Sequence, residues 1–194
     1  MPGAESELDF VSPYELIVSV ILSAQCTDKR VNIITPSLFK KYPRAELLAK
    51  EEAKTVYKYI KSCSYPNNKA KHLVGMARVL MSEFNGVVPD NLESLQRLPG
   101  VGRKTANVVL SVAFQQPAMA VDTHVFRVAA RIGLTAKAKN PLETELQLVK
   151  HIPDELIHKA HHWLILHGRY VCKARKPDCI QCGISEFCKY YLSQ

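Results

Sequence analysis

Four cysteines near the end of the chain, Cys172, Cys179, Cys182 and Cys188, have the spacing C-x6-C-x2-C-x5-C in a basic loop that also holds Pro177. Thiolates at this density hold zinc or an iron–sulfur cluster. Zinc ribbons usually join two C-x2-C pairs, whereas here one pair is flanked by single cysteines, so the spacing leans towards a [4Fe-4S] cluster. Unligated surface thiols are the least favoured reading. Cys26 and Cys63 stand apart and read as buried, unligated thiols. A disulfide framework is not expected in a chain read as cytosolic.

A second constellation is an amine and a carboxylate. The stretch LPGVGRKTANVVL, Leu98 to Leu110, carries Pro99, Gly100 and Gly102, which interrupt a helix, and helical spacing then resumes from Arg103 to about Gln115. This predicts a hairpin followed by a helix. The first helical amides lack intrahelical partners and, with the helix dipole, suit one phosphate group. A simple C-cap followed by a new helix would leave the same trace. Lys104 falls in the first turn. A helix of about 13 residues rises about 20 Å, and the extended return from Gln115 to Asp122 spans at most about 23 to 25 Å, so Asp122 can reach back beside Lys104. A neutral lysine there is a nucleophile towards an electrophilic carbon such as a sugar C1′, with Schiff-base chemistry to follow. Asp122 would accept a proton or stabilise positive charge developing on the sugar. A surface ion pair is the bland alternative.

The elements that must position these groups read as helices throughout. Ser12, Pro13 and Glu15 supply an N-cap, a proline at the first helical position and a capping-box acid. The helix they open is apolar nearly all round as far as Ala24, and therefore central. It ends in the polar run Ser23 to Asp28. Thr27 or Asp28 can cap a second helix, which Pro36 is expected to kink or end. Short helices follow at Ala45 to Ala49 and Glu51 to Ile60, then a loop from Ser62 to Asn68 with Tyr65 at its middle. Lys69 to Phe84 is amphipathic, Leu92 to Leu98 leads into the hairpin, and Asp122-Thr123 caps a helix over His124 to Ile132. Asn140, Pro141 and Glu143 announce another, and Glu155 to Leu166 is the last long one. His158, His161 and His162 lie in it and His167 just beyond; His158 and His162 are at i and i+4, but no third ligand is in the pattern, and the stretch reads as packing around Trp163 rather than as a metal site.

With 26 Lys plus Arg against 18 Asp plus Glu, the net charge is +8, which favours a polyanionic partner. Two clusters sharpen that expectation: Lys54, Lys58, Lys61, Lys69, Lys71 and Arg78, and then Arg169, Lys173, Arg175 and Lys176. No apolar run is long enough to span a membrane, the longest, Leu16 to Leu22, being interrupted by Ser19.

The hairpin stretch, VDTH at Val121 to His124, HHWLILHGR at His161 to Arg169 and the four-cysteine loop together resemble endonuclease III. The resemblance to this helix-hairpin-helix DNA glycosylase and abasic-site lyase family runs from about Glu7 to Tyr190. It implies an all-α pair of domains with a DNA cleft between them: residues 8–116 as a six-helix barrel carrying the hairpin, and 1–7 with 117–194 as a domain holding a [4Fe-4S] cluster. It further implies Lys104 as nucleophile, Asp122 as its partner, and a monomeric cytoplasmic, nucleoid-associated enzyme. The expected substrates are oxidised pyrimidines and abasic sites in duplex DNA, with strand cleavage by β-elimination. Gln25 matches the family residue that enters the duplex. Tyr65 stands where relatives often carry a wedging leucine, and either stacks on a base or is simply an exposed loop tyrosine. Ser64 replaces a common glycine. Ser23 and Asp28 match polar residues of the lesion pocket, Gln96 stands where some relatives have glutamate, and His124 is expected near the site. The DNA contacts are expected from Pro99, Gly100, Val101, Gly102 and Arg103 of the hairpin, and from Arg169, Lys173, Arg175 and Lys176 around the cluster. The family normally has another helix before the segment resembling Glu7 to Phe10; either the start has been placed at an internal Met or this member lacks that helix, and a cluster domain less stable than in a longer version is expected.

Three rivals remain: an adenine glycosylase, a non-catalytic DNA-binding module and a redox carrier. The first usually lacks the lysine, the second needs neither Lys104 nor Asp122, and the third leaves the hairpin unexplained.

Overall fold

A computed structural model describes residues 6–194; the first five residues, and with them most of the expected N-terminal segment of the cluster domain, lie outside the described residues. All regular structure among the described residues is helical: α1 (Pro13–Ser23), α2 (Asp28–Lys41), α3 (Ala45–Ala49), α4 (Ala53–Ile60), α5 (Pro66–Phe84), α6 (Leu92–Gln96), α7 (Arg103–Phe114), α8 (Thr123–Ile132), α9 (Pro141–His151), α10 (Asp154–Tyr170) and the short α11 (Lys189–Leu192), preceded by a 3₁₀ turn at Ser185–Phe187. No helix among them is long and apolar enough to cross a membrane.

Contacts divide the described chain into Ser6–Phe114 and Gln115–Gln194, against the boundaries 8–116 and 117–194 read from the sequence. In the N-terminal unit α1 is the hub, packing on α2, α5 and α7. Leu16, Ile17, Val18 and Leu22 are wholly buried, which is why an element apolar on every face is tolerated in this position. Its start is built as its residues dictate: Ser12 Oγ accepts from Glu15 N at 3.2 Å, and Glu15 Oε2 accepts from Val11 N at 2.9 Å. Thr27 caps α2, its Oγ1 accepting from Arg30 N at 3.3 Å. The helix then passes through Pro36 to Lys41 instead of ending there.

The start of α5 differs from expectation. Pro66 takes the first helical position, three residues before the predicted start, because a proline with φ already fixed and no amide to satisfy suits that place. Tyr65 becomes its N-cap residue, in the left-handed conformation at φ 51°.

The C-terminal unit is organised on α8, which packs against α9, α10 and α11. Val125, Val128 and Ala129 meet Leu148, Ile157 and Leu164 in its core, and Cys172 closes that core at the start of the cysteine loop. Asn140 caps α9 through Oδ1 to Glu143 N, 2.9 Å, while its Nδ2 donates to Glu143 Oε1 at 2.7 Å.

Candidate active site and cysteine loop

The hairpin is held from inside the N-terminal unit. Leu95 and Leu98 are buried on either side of the turn into it. The Leu98 amide donates to Leu95 O at 3.1 Å, and the Val101 amide to Leu98 O at 3.0 Å. Val101 is buried, so it braces the turn from within, whereas Gly100 and Gly102 are exposed and Pro99 half-exposed. The two glycines are there for different reasons. Gly100 has φ +83°, and a Cβ on it would lie 2.9 Å from His72 Cβ on α5, so both the backbone and the close approach demand glycine. A Cβ on Gly102 would meet nothing within 4 Å. Its bare backbone therefore faces solvent beside the opening of α7, where Arg103 is half-exposed and Lys104 exposed.

Asp122 belongs to the C-terminal unit, as the N-cap of α8. Its Oδ1 accepts from both His124 N and Val125 N at 2.8 Å, and Oδ2 takes no hydrogen bond among the described residues. One carboxylate oxygen is thus committed to the helix end and the other is not. His124, in the first turn of α8, has Nδ1 3.2 Å from Arg127 Nη2. Arginine carries no acceptor, so a hydrogen bond between the two would run from Arg127 to the ring.

Arg127 and Arg131, one turn apart on α8, hold the cysteine loop, and nothing in the sequence pattern marked them. Arg127 Nη2 donates to Gly168 O at 2.9 Å and to Cys172 O at 3.1 Å. Arg131 donates to Lys173 O and Ala174 O, both at 2.8 Å, and its guanidinium lies 5.0 Å from the centre of the Tyr190 ring. These partners are backbone carbonyls distant in the chain, invisible to spacing arguments.

The four cysteines line one small, partly open cavity, together with His167, Pro177 and Tyr190. Cys182 Sγ is 3.8 Å from His167 Nε2, and Arg131 Nη1 is 3.5 Å from Cys172 Sγ. Partial burial and then the neighbouring Cys172, Cys188 and Cys182 push the Cys179 thiol above its ordinary value, with Arg131 opposing; burial holds the His167 imidazole below its own. No three His, Cys, Asp or Glu side chains among the described residues converge as a single-ion site. Lys173, Arg175 and Lys176 are exposed on this loop, and Arg169 is half-exposed just before it.

The remaining predicted residues lie in the N-terminal unit. Gln25 is exposed in the loop after α1, at φ 54°, and Tyr65 is 64% exposed. Ser23 Oγ donates to Val20 O at 2.9 Å, Asp28 is the first residue of α2, and Gln96 is the exposed last residue of α6. Cys63 is buried and its Sγ lies 3.8 Å from that of Cys26. Burial, with Cys26 adding, pushes the Cys63 thiol up to about 11, so it is a poor nucleophile at neutral pH.

The first basic cluster is not a uniform polyanion-binding face. Lys69 is buried, Arg78 donates to Ala49 O and Glu51 O, and Lys54 pairs with Glu52 at 2.8 Å. Within that cluster, then, several cations are spent on the fold itself.

Known proteins resemble this arrangement along its whole length. An endonuclease III of Rickettsia felis is 50% identical over 192 residues, covering 99% of this chain and 90% of the relative; that of Escherichia coli K12 is 48% identical, covering 97% and 89%. A trapped endonuclease III–DNA covalent intermediate superposes with a TM-score of 0.93 at 43% identity, covering 99% of this chain and 90% of the other. Residues 18–154 match the HhH-GPD superfamily of base excision DNA repair proteins. With the hairpin, the capped aspartate and the cysteine loop all lying within stretches these relatives share, the chain belongs to the endonuclease III family of that superfamily.

Proposed function

We propose that Lys104 and Asp122 carry the chemistry of this base excision repair DNA glycosylase and abasic-site lyase, acting on oxidised pyrimidines and abasic sites in duplex DNA. The observation that carries the reading is a chemical one. A relative of nearly the same fold is captured covalently on DNA, and Lys104 is an exposed amine in the first turn beyond the hairpin. A module that only bound phosphate would require neither that amine nor an aspartate with one oxygen uncommitted.

Neutral Lys104 Nζ forms a bond to C1′ as the base departs with the electron pair of the glycosidic bond. Opening of the sugar ring gives a protonated imine, and loss of a C2′ proton then expels the 3′ phosphate oxygen, which cuts the strand. Asp122 Oδ2 takes up the proton that Lys104 Nζ loses on bonding to C1′ and returns it to O4′ as the ring opens, while the departing base takes a proton from water and hydrolysis of the imine frees Lys104. Attack on C1′ needs the nucleotide turned out of the stack; Gln25 and Tyr65 fill the gap, while Ser23, Asp28, Gln96 and His124 line the pocket for the extruded base. Borohydride reduction during reaction with a duplex carrying one abasic site should give a covalent adduct that maps to the Lys104 peptide. An adduct at any other amine removes the assignment.

The cysteine loop fits a [4Fe-4S] cluster held by Cys172, Cys179, Cys182 and Cys188. Four cysteines around a common cavity, with no three of them converging as a single-ion site among the described residues, would suit a polynuclear cluster better than one ion. Such a cluster supplies rigidity, and Arg127 and Arg131 fix the carbonyls that frame it. Purified protein should contain iron and inorganic sulfide and show visible thiolate-to-iron absorption, which Cys182→Ser weakens or abolishes; stoichiometric zinc without iron would overturn the assignment.

Arg169, Lys173, Arg175 and Lys176 then sit against phosphates. Neutralising all four should weaken binding to every sequence alike and flatten its salt dependence, each lost phosphate contact removing about 0.9 from the logarithmic slope. An unchanged slope removes these contacts from the interface.

A further inference from the structure

Lys69 is the buried cation that the chemistry above does not use. Its side chain lies under the surface at 5% exposure, and its three ammonium protons have three acceptors: Leu22 O at 2.7 Å, Ala24 O at 2.8 Å and Ser64 Oγ at 3.1 Å. Ser64 Oγ in turn donates to Ala24 O at 3.2 Å. Two of these acceptors end α1 immediately before Gln25, and the third precedes Tyr65. The last carbonyls of a helix have no internal partner and sit at its negative end, and α1 carries no basic residue in its own last turn. Lys69 supplies that charge from α5.

Its own location is unfavourable in two ways. Burial disfavours the ammonium and lowers its pKa, and a cation in the first turn of α5 faces the positive end of that helix, which has no acidic residue there to offset it. What the lysine gains is the junction. Both loops turn on non-glycine residues in the left-handed region, Gln25 at φ 54° and Tyr65 at φ 51°, a conformation that persists only where the surroundings over-determine it.

We propose that Lys69 is a positioning residue for base excision: its buried ammonium ties the ends of α1 and of the Ser64 loop together, so that Gln25 and Tyr65 are presented to the duplex as one preformed wedge. This rests on the reading that Gln25 and Tyr65 fill the gap left by the extruded nucleotide. Lys69→Met keeps the length of the side chain and removes all three bonds. Under single-turnover conditions its cleavage of an abasic site in duplex DNA should fall about 10- to 100-fold. Cleavage of the same site in a single-stranded oligonucleotide, which offers no gap to fill, should stay near the wild-type rate. Gln25→Ala/Tyr65→Ala should show the same duplex-selective loss, and adding Lys69→Met to it should cost little more, since nothing remains to be positioned.

The outcomes separate. If the loop double variant loses duplex cleavage selectively and Lys69→Met does not, the tie is overturned while the wedge reading stands. If neither variant is duplex-selective, the wedge reading fails and takes the proposal with it. Equal losses on both substrates would make Lys69 merely structural, which also overturns the proposal. Should Lys69→Met fold poorly, Ser64→Ala removes one acceptor and should give a smaller loss of the same duplex-selective kind; its absence counts against the tie.

Discussion

Lys104→Ala is expected to bind a duplex with an abasic site and to form no borohydride-trapped adduct, with strand cleavage reduced by about 10⁴-fold or more, as for the loss of other covalent nucleophiles. The fold should not notice the change. Lys104 is exposed on the second residue of α7, and alanine is the better helix former, so the melting temperature should move little. Binding should survive because the hairpin is braced from within by Leu95, Leu98 and Val101, none of which touches the reacting amine's role. Lys104→Arg refines the result. It keeps the cation, but a guanidinium stays protonated and cannot attack carbon, so it should be as inactive as alanine while binding at least as well. Retained trapping in either variant would assign the nucleophile to another amine.

How far the sequence could be trusted follows from the range of the interactions involved. Ser12-Pro13-Glu15 and Asn140-Pro141-Glu143 announced their helices because each encodes bonds made within four residues, and the structure makes those bonds. Gly100 was legible only through its local turn, at φ +83°; its close approach to His72 on α5 was not. The start of α5 was misplaced because Pro66 and two asparagines read equally well as a loop, and only Tyr65 in a left-handed conformation decides between them. Lys69 was misread most instructively. It sits among lysines and an arginine that look like a polyanion-binding face, yet its partners are 40 or more residues away in the chain for the two carbonyls. Arg127 and Arg131 carry the same lesson, since their acceptors around Cys172 are backbone groups of another segment. Long-range side chain-to-carbonyl bonds leave no periodic trace, and such bonds brace both the loop that ends α1 and the cysteine loop.

Asp122→Asn is expected to separate two functions that Asp122→Ala would confound. In the folded protein Oδ1 accepts the His124 and Val125 amides at 2.8 Å, and an asparagine carbonyl oxygen can do the same. The cap therefore survives in Asn, an N-cap residue as good as Asp. Alanine removes it, which costs about 1 kcal/mol, and that loss falls on α8, the helix whose Val125, Val128 and Ala129 build the core and whose arginines frame Cys172. Asparagine instead loses only the negative charge and the capacity of Oδ2 to accept a proton. Excision of a damaged pyrimidine should consequently drop by about 10²- to 10⁴-fold in Asp122→Asn, the usual range for a positioned acid–base group, at an unchanged melting temperature and with visible absorption intact. Trapping on a preformed abasic site, where the base has already left, should fall less. If Asp122→Asn excises bases at the wild-type rate while Asp122→Ala does not, Asp122 acts only through the start of α8, and the proton acceptor must be sought elsewhere.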